Sequence, residues 1–147
     1  MSECSGKILV EFAEEERIVH LSATEVLRIN TEEKLNDLCG CVQERLESFG
    51  PEKVYMIVDL SKFSIEPNLA EVYGQKIAIL SEHFLYPEGL ARYGYQITRV
   101  TIMIADESDP GLGTGMFGTR EEAFRYIRSL IKARSAGKID LLAPECD

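Results

Sequence analysis

The 147 residues suit one domain, and a chain of that size buries roughly two-thirds of the surface its unfolded form exposes, so it needs no disulfide or metal staple. Hydrophobic content of 45% and charged content of 28% fit a globular protein and exclude a disordered or fibrous class. A formal charge of -9 argues against a nucleic-acid or anionic-membrane surface, because both recruit clustered Lys and Arg.

The longest nearly apolar run, Val100 to Ala105, is far short of the roughly 20 residues that cross a bilayer. Met1 to Phe12 lacks the basic start and apolar block of a signal peptide, so a cytoplasmic location is expected. Lys7 to Phe12 carries Ile8, Val10 and Phe12 on one parity, and Arg17 to Ser22 resumes an apolar pattern through Ile18, Val19 and Leu21. With the charged stretch Ala13 to Glu16 between them, these segments predict a hairpin. His20 falls in its second strand with no His, Cys or carboxylate at ligand spacing, and reads as a structural residue.

Asn30 and Glu33 form a candidate capping box. Leu35, Leu38, Cys39, Val42, Leu46 and Phe49 follow at three- and four-residue steps, which predicts a helix ending before Gly50-Pro51. Cys39 lies on the apolar stripe and reads as a core thiol. Cys41, about 200° away around the axis, reads as partly exposed, and the two can neither bridge nor share a metal. Cys4 and Cys146 lie near the termini, where no structural role is expected.

Tyr55 to Val58 is a continuous apolar run with β-branched and aromatic members, the pattern of a strand covered on both faces, and Asp59 closes it. A polar turn leads to Pro67-Asn68 and then to an amphipathic helix over Leu69 to about Phe84, with Leu69, Val72, Tyr73, Ile77, Leu80 and Phe84 on its buried face. Lys76 and His83 fall on or beside that face. Tyr86 to Gln96, with Pro87, Gly89 and Gly94, reads as a tyrosine-rich loop, followed by a strand over Ile97 to Ala105. Asp106 to Gly118 is a glycine-rich loop, and Thr119 with Glu122 forms a capping box at the head of a last helix whose stripe is Ala123, Phe124, Ile127, Leu130 and Ile131. Ser135 to Asp147 reads as an edge or tail segment. The expectation is therefore an α/β fold, a mixed sheet with an N-terminal β-hairpin followed by αβαβα. It forms a single domain over 1–147, with its core at 7–134 and tails at 1–6 and 135–147.

This order of elements, with Asp59-Leu60-Ser61 closing the core strand and Phe117-Gly-Thr-Arg-Glu-Glu-Ala-Phe124 opening the last helix, resembles the STAS domain family, and within it the anti-sigma-factor-antagonist-like branch. The resemblance covers about Lys7 to Ala133. It implies a non-enzymatic regulatory module of bacterial-type signalling that binds a partner protein through the turn after the core strand and the helix that follows. Phosphorylated members carry an Asp-Ser-Ser-Gly-like turn, whereas here the matching stretch is Ile65-Glu66-Pro67-Asn68-Leu69, without the acceptor serine. Ser61 and Ser64 then read as turn-forming hydroxyls. Relatives also resemble the CRAL-TRIO lipid-transfer fold in outline, which keeps a small-molecule role open, for an apolar or anionic ligand, lipid included.

Gly113-Thr-Gly115-Met-Phe-Gly118 matches a dinucleotide fingerprint, but only 29 residues follow it and no second strand with a ribose-binding acid can be placed. A turn explains these glycines, and no cofactor or metal is expected. Two parallel strands would bring Ser61, Ser64, Asn68, Thr114 and Thr119 together at their carboxyl ends, beside two helix starts, as candidate partner- or ligand-binding residues. Tyr86, Arg92, Tyr93 and Tyr95 are candidates for a protein interface, the alternative being that they cover the edge of the core. A symmetric dimer through a sheet edge or the tyrosine loop is compatible with the sequence. Two histidines, no nucleophile elbow and carboxylates confined to turns and outer helix faces give an enzyme little to work with.

Overall fold

The computed structural model describes residues 7–94 and 116–146, with side chains through 135. Strands β1 (Ile8–Ala13) and β2 (Ile18–Ala23) form the expected hairpin, antiparallel with Ile8 opposite Ala23 and Ala13 opposite Ile18. Its turn closes on Arg17, which adopts a left-handed φ of 58°. That strain, costly for a residue with a Cβ, is offset by the guanidinium, which donates to the carbonyls of Phe49, Glu52 and Lys53. The hairpin tip is thereby fastened to the loop leading into the core strand.

A short strand β3 (Leu27–Ile29) precedes helix α1 (Glu32–Glu47). The cap of α1 is Thr31, whose hydroxyl accepts from Lys34 N at 3.1 Å, one residue later than the Asn30 box expected from sequence. The cysteine assignments are reversed. Cys41 is buried with Leu38 and Val42, whereas Cys39 is half-buried at the stripe's margin, because the buried arc of α1 turns toward its contact with both sheet and neighbouring helix.

Strand β4 (Val54–Asp59) is the centre of a five-stranded sheet, order β1-β2-β4-β6-β7, and is parallel to both neighbours. It is buried from Val54 through Val58, as a strand covered on both faces must be. The chain then makes β5 (Phe63–Ile65), which pairs in parallel with β3 as a separate two-stranded sheet, a 3-10 turn (Pro67–Leu69) and helix α2 (Ala70–Phe84). Neither short strand was anticipated.

The largest departure follows α2. Most of the expected loop Tyr86–Gln96 is instead strand β6 (Leu85–Tyr93). Pro87 and Gly89 do not end the strand; they sit in an irregularity where Val54 and Met56 of β4 face Leu85 and Leu90 of β6, so that two steps on one strand match five on the other. Glu88 there has a φ of 60°, and a Cβ on Gly89 would lie 2.8 Å from the Tyr86 carbonyl oxygen, so only glycine fits without a shift. The predicted strand over 97–105 lies outside the described residues. Strand β7 (Met116–Phe117) pairs with Arg92 and Tyr93 inside what was read as a loop, and helix α3 (Arg120–Cys146) continues through most of the predicted tail.

Helices α1 and α2 cover one face of the sheet over Val19, Leu21, Val54, Met56, Val58 and Leu90. Helix α3 covers the other through Ala123 and Ile127, which pack on Ile18, Tyr55, Ile57 and Ala91. Gly94, just past β6, has a φ of 120°, and a Cβ there would lie 2.8 Å from Ser61 N. Both strain and collision therefore oppose any side chain. Gly94→Ala is expected to lower unfolding free energy by about 2 kcal/mol or more, measured by urea denaturation, with little change in the denaturant slope.

Candidate functional site

The carboxyl ends of β4 and β6 lie side by side, where a parallel sheet presents its loops. Leu60 N donates to Tyr93 O at 2.7 Å, and the carboxylate of Asp59 accepts from both Ser61 N (2.9 Å) and Ser61 Oγ (2.6 Å). Asp59 thus folds the turn back on itself and leaves Ser61 exposed but held. Ser64 is half-buried in β5, opposite Arg28 of β3, and Asn68 is exposed in the turn that starts α2. Thr119 makes the predicted capping box: Glu122 Oε1 accepts from Thr119 N at 3.1 Å, and Glu122 N donates to Thr119 Oγ1 at 3.2 Å. Thr114 lies outside the described residues.

Ser61, Asn68 and Thr119 share one end of the sheet without forming one cluster. Asn68 opens the helix on one face and Thr119 the helix on the other, with the sheet between them. The hydroxyl of Thr119 is engaged in its cap, which leaves Ser61, Lys62 and Glu66 to Asn68, with Glu71 of α2, as the exposed positions on the side of α2.

The tyrosine segment does not form an outer surface. Arg92 and Tyr93 are 1% and 8% exposed, because β6 is an inner strand with helices on both sides. Tyr86 is half-buried, its ring centroid 4.7 Å from that of Tyr55 and the Arg134 guanidinium 4.1 Å above it. Tyr86 and Tyr93 close the core beneath α3, Arg92 faces α1 and α2, and Tyr95 lies outside the described residues.

A polar string absent from the sequence expectations runs beneath the start of α3. His20 is 7% exposed; its Nε2 is 2.8 Å from Tyr93 Oη and its Nδ1 3.4 Å from Glu11 Oε1, while the ring packs at 5.6 Å from Phe124. The Tyr93 phenol is pushed up to about 12, first by burial and then by the charge of Asp59, so it stays protonated. The matching tautomer carries its proton on Nδ1 and accepts the phenol proton at Nε2. The signal in the sequence was parity: His20 shares a face with Ile18 on a strand buried on both sides.

Burial, then Arg120, pulls the His20 pKa below the ordinary value, while Glu11 and Asp59 oppose the shift. The string therefore holds a neutral imidazole and a neutral phenol, neither one activated as a nucleophile. Burial likewise raises the Cys39 thiol to about 11, which keeps it protonated and unreactive. Among the described residues no group of three His, Cys, Asp or Glu is placed to hold a metal ion, and no helix is long and apolar enough to cross a membrane.

Between the sheet and the helices α1 and α2 lies a cavity of about 40 Å³, lined by Leu38, Cys39, Phe63, Tyr73, Ile77 and Arg92 among others. It exceeds the roughly 10–15 Å³ that one water needs and falls far short of the ~150 Å³ that accepts benzene. Apolar surface forms nearly all its wall, Arg92 being one of the residues that line it.

Comparison with solved structures finds a likeness to an uncharacterized protein of the DUF3478 family with a SpoIIAA-like fold from Shewanella loihica PV-4, at a TM-score of 0.52 and 14% identity, covering 82% of this chain and 91% of that one. No family model and no curated protein matches the chain. The chain thus has a SpoIIAA-like α/β fold, the STAS-type architecture anticipated from its element order.

A histidine with a depressed native pKa withholds its proton when the unfolded chain accepts one. Its contribution to stability is therefore complete above the unfolded value near 6.5 and is lost as pH falls through the lower native value. His20→Gln, which can still bond Tyr93, is expected to lose less stability than the parent between neutral and mildly acidic pH. Urea denaturation across that range checks this, and equal losses would remove His20 as the titrating group.

Proposed function

We propose that residues 7–134 act as one STAS-like, non-catalytic regulatory module that contacts a partner protein through the turn after β4 and the outward face of α2. The observation that carries this reading is Ile79, 58% exposed near the middle of α2. At helical spacing it shares an outward face with the exposed Asn68, Glu71, Gln75 and Glu82, with half-buried Val72 beside them. An apolar centre within a polar rim is the composition of a protein-contact patch. The turn that leads into it is held by Asp59 and Ser61, so the surface is offered in one conformation and loses little entropy on docking. The SpoIIAA-like fold supports a role of this kind, and the absence of activated side chains in the buried string agrees with it.

The test is a partner screen under native conditions followed by titration. Ile79→Asp is expected to weaken capture by about tenfold or more while leaving the melting temperature near that of the parent, since the residue is exposed. Asn68→Lys should act in the same direction. A partner whose affinity is unchanged by both substitutions removes this surface from the reading.

A further inference from the structure

Among the described residues strand β3 has one edge that no other strand pairs, beside a set of cations. Leu27 N donates to Lys62 O at 2.8 Å, and Ile29 O accepts from Glu66 N at 3.1 Å, so the peptide groups of Leu27 and Ile29 are directed toward β5. In an extended strand the intervening residue points its own N–H and C=O the opposite way, so those of Arg28 lie on the other edge. Among the described residues β3 pairs with β5 alone. The edge borders a surface concavity of about 420 Å³ lined by Lys7, Val26, Leu27, Arg28, Ile29, Lys34 and Asp37.

The chemistry of that concavity runs against the rest of the chain. The protein carries a formal charge of -9, yet here three cations, Lys7, Arg28 and Lys34, stand against one lining carboxylate, Asp37. Lys7 is shared with Glu25 at 3.3 Å, whereas among the described residues the exposed Arg28 and Lys34 side chains have no carboxylate within ion-pair distance. Val26, 63% exposed, adds an apolar contact at the same margin. The net charge gives the protein no general attraction for acidic ligands, so an acidic segment would be held by this local excess of cations.

We propose that the β3 edge binds an extended acidic segment of a partner protein by strand addition. Main-chain bonds to Arg28 would supply the register. Alternate carboxylates would meet Arg28 and Lys34, and an apolar residue between them would cover Val26. This surface is separate from the outward face of α2, and it does not depend on that face being an interface.

The probe is a capped peptide of about eight residues alternating Glu and Val, the length of an ordinary strand. It is expected to bind the full chain in a salt-sensitive manner, to slow hydrogen exchange at the Arg28 amide, and to lose about tenfold or more in affinity with the double variant Arg28→Glu, Lys34→Glu. Far-UV circular dichroism and the melting temperature of the double variant should match the parent, and Ile79→Asp should leave peptide affinity unchanged, which separates this proposal from the α2 reading. The proposal is overturned by any of four results: no binding; equal binding of a Lys–Val peptide; equal binding of a Glu–Val peptide N-methylated at every second residue; or an unprotected Arg28 amide. Tighter binding of an oligonucleotide would make the surface a polyanion site, and concentration-dependent dimerisation through β3 would make a second copy the occupant; either also overturns it.

Discussion

The structure depends on β4 being the middle strand of a parallel trio with both faces covered. A strand in that position needs side chains without polar demands on both parities, and Val54 through Val58 supply them, with Ile57 fully buried and Met56 and Tyr55 nearly so. Because β2 and β6 run in the same direction, each connection must cross the sheet, and the two crossovers place α1 and α2 on one face. The opposite face is then left for α3, which reaches it through Ala123 and Ile127. The small residue at 123 lets the helix approach closely enough for Tyr126 to donate to Glu88 O across the β6 irregularity at 2.9 Å.

How far the sequence could be read depended on whether local chemistry and tertiary role agreed. They agreed for the hairpin, for the apolar run of β4 and for the box at Thr119 and Glu122, where a few neighbouring residues carry the whole signal. They disagreed in β6. Pro87, Gly89 and Gly94 are turn residues by propensity, but here they serve a bulge and a close backbone approach, and the strand between them shows only Leu90 and Ala91 as plain apolar residues. Arg92 and Tyr93 completed the disguise, since each is polar by type and buried by position. The short strands β3 and β5 escaped for a different reason: three residues are too few for alternation to show, and their pairing spans a long sequence separation.

The candidate site was legible in its location and not in its grouping. Asp59 closing a buried strand and Pro67-Asn68 opening a helix placed the turn at the carboxyl end without reference to anything distant. Whether that turn faced Thr119 depended on which face each helix covers, and no local pattern encodes this. The buried pair of His20 and Tyr93 lay beyond reach on similar grounds, since 73 residues separate partners 2.8 Å apart. A histidine on a strand apolar on both parities was the available hint, and Glu11, across the hairpin from it, was the available partner.

The same end of the molecule therefore offers two kinds of surface with different physical bases. The α2 face is a patch of side chains, and its selectivity would come from Ile79 and the polar residues around it. The β3 edge offers the N–H and C=O of Arg28 beside cations, and its selectivity would come from direction, register and charge. Both border the turn between β4 and α2, because β5, the partner that holds β3 in place, is part of that turn. A contact on either surface would press on the Asp59–Ser61 fold, and through Leu60 N and Tyr93 O on the adjoining end of β6, where His20 is bonded. The Leu60–Tyr93 bond is where the turn after the central strand meets the strand that holds the buried polar string.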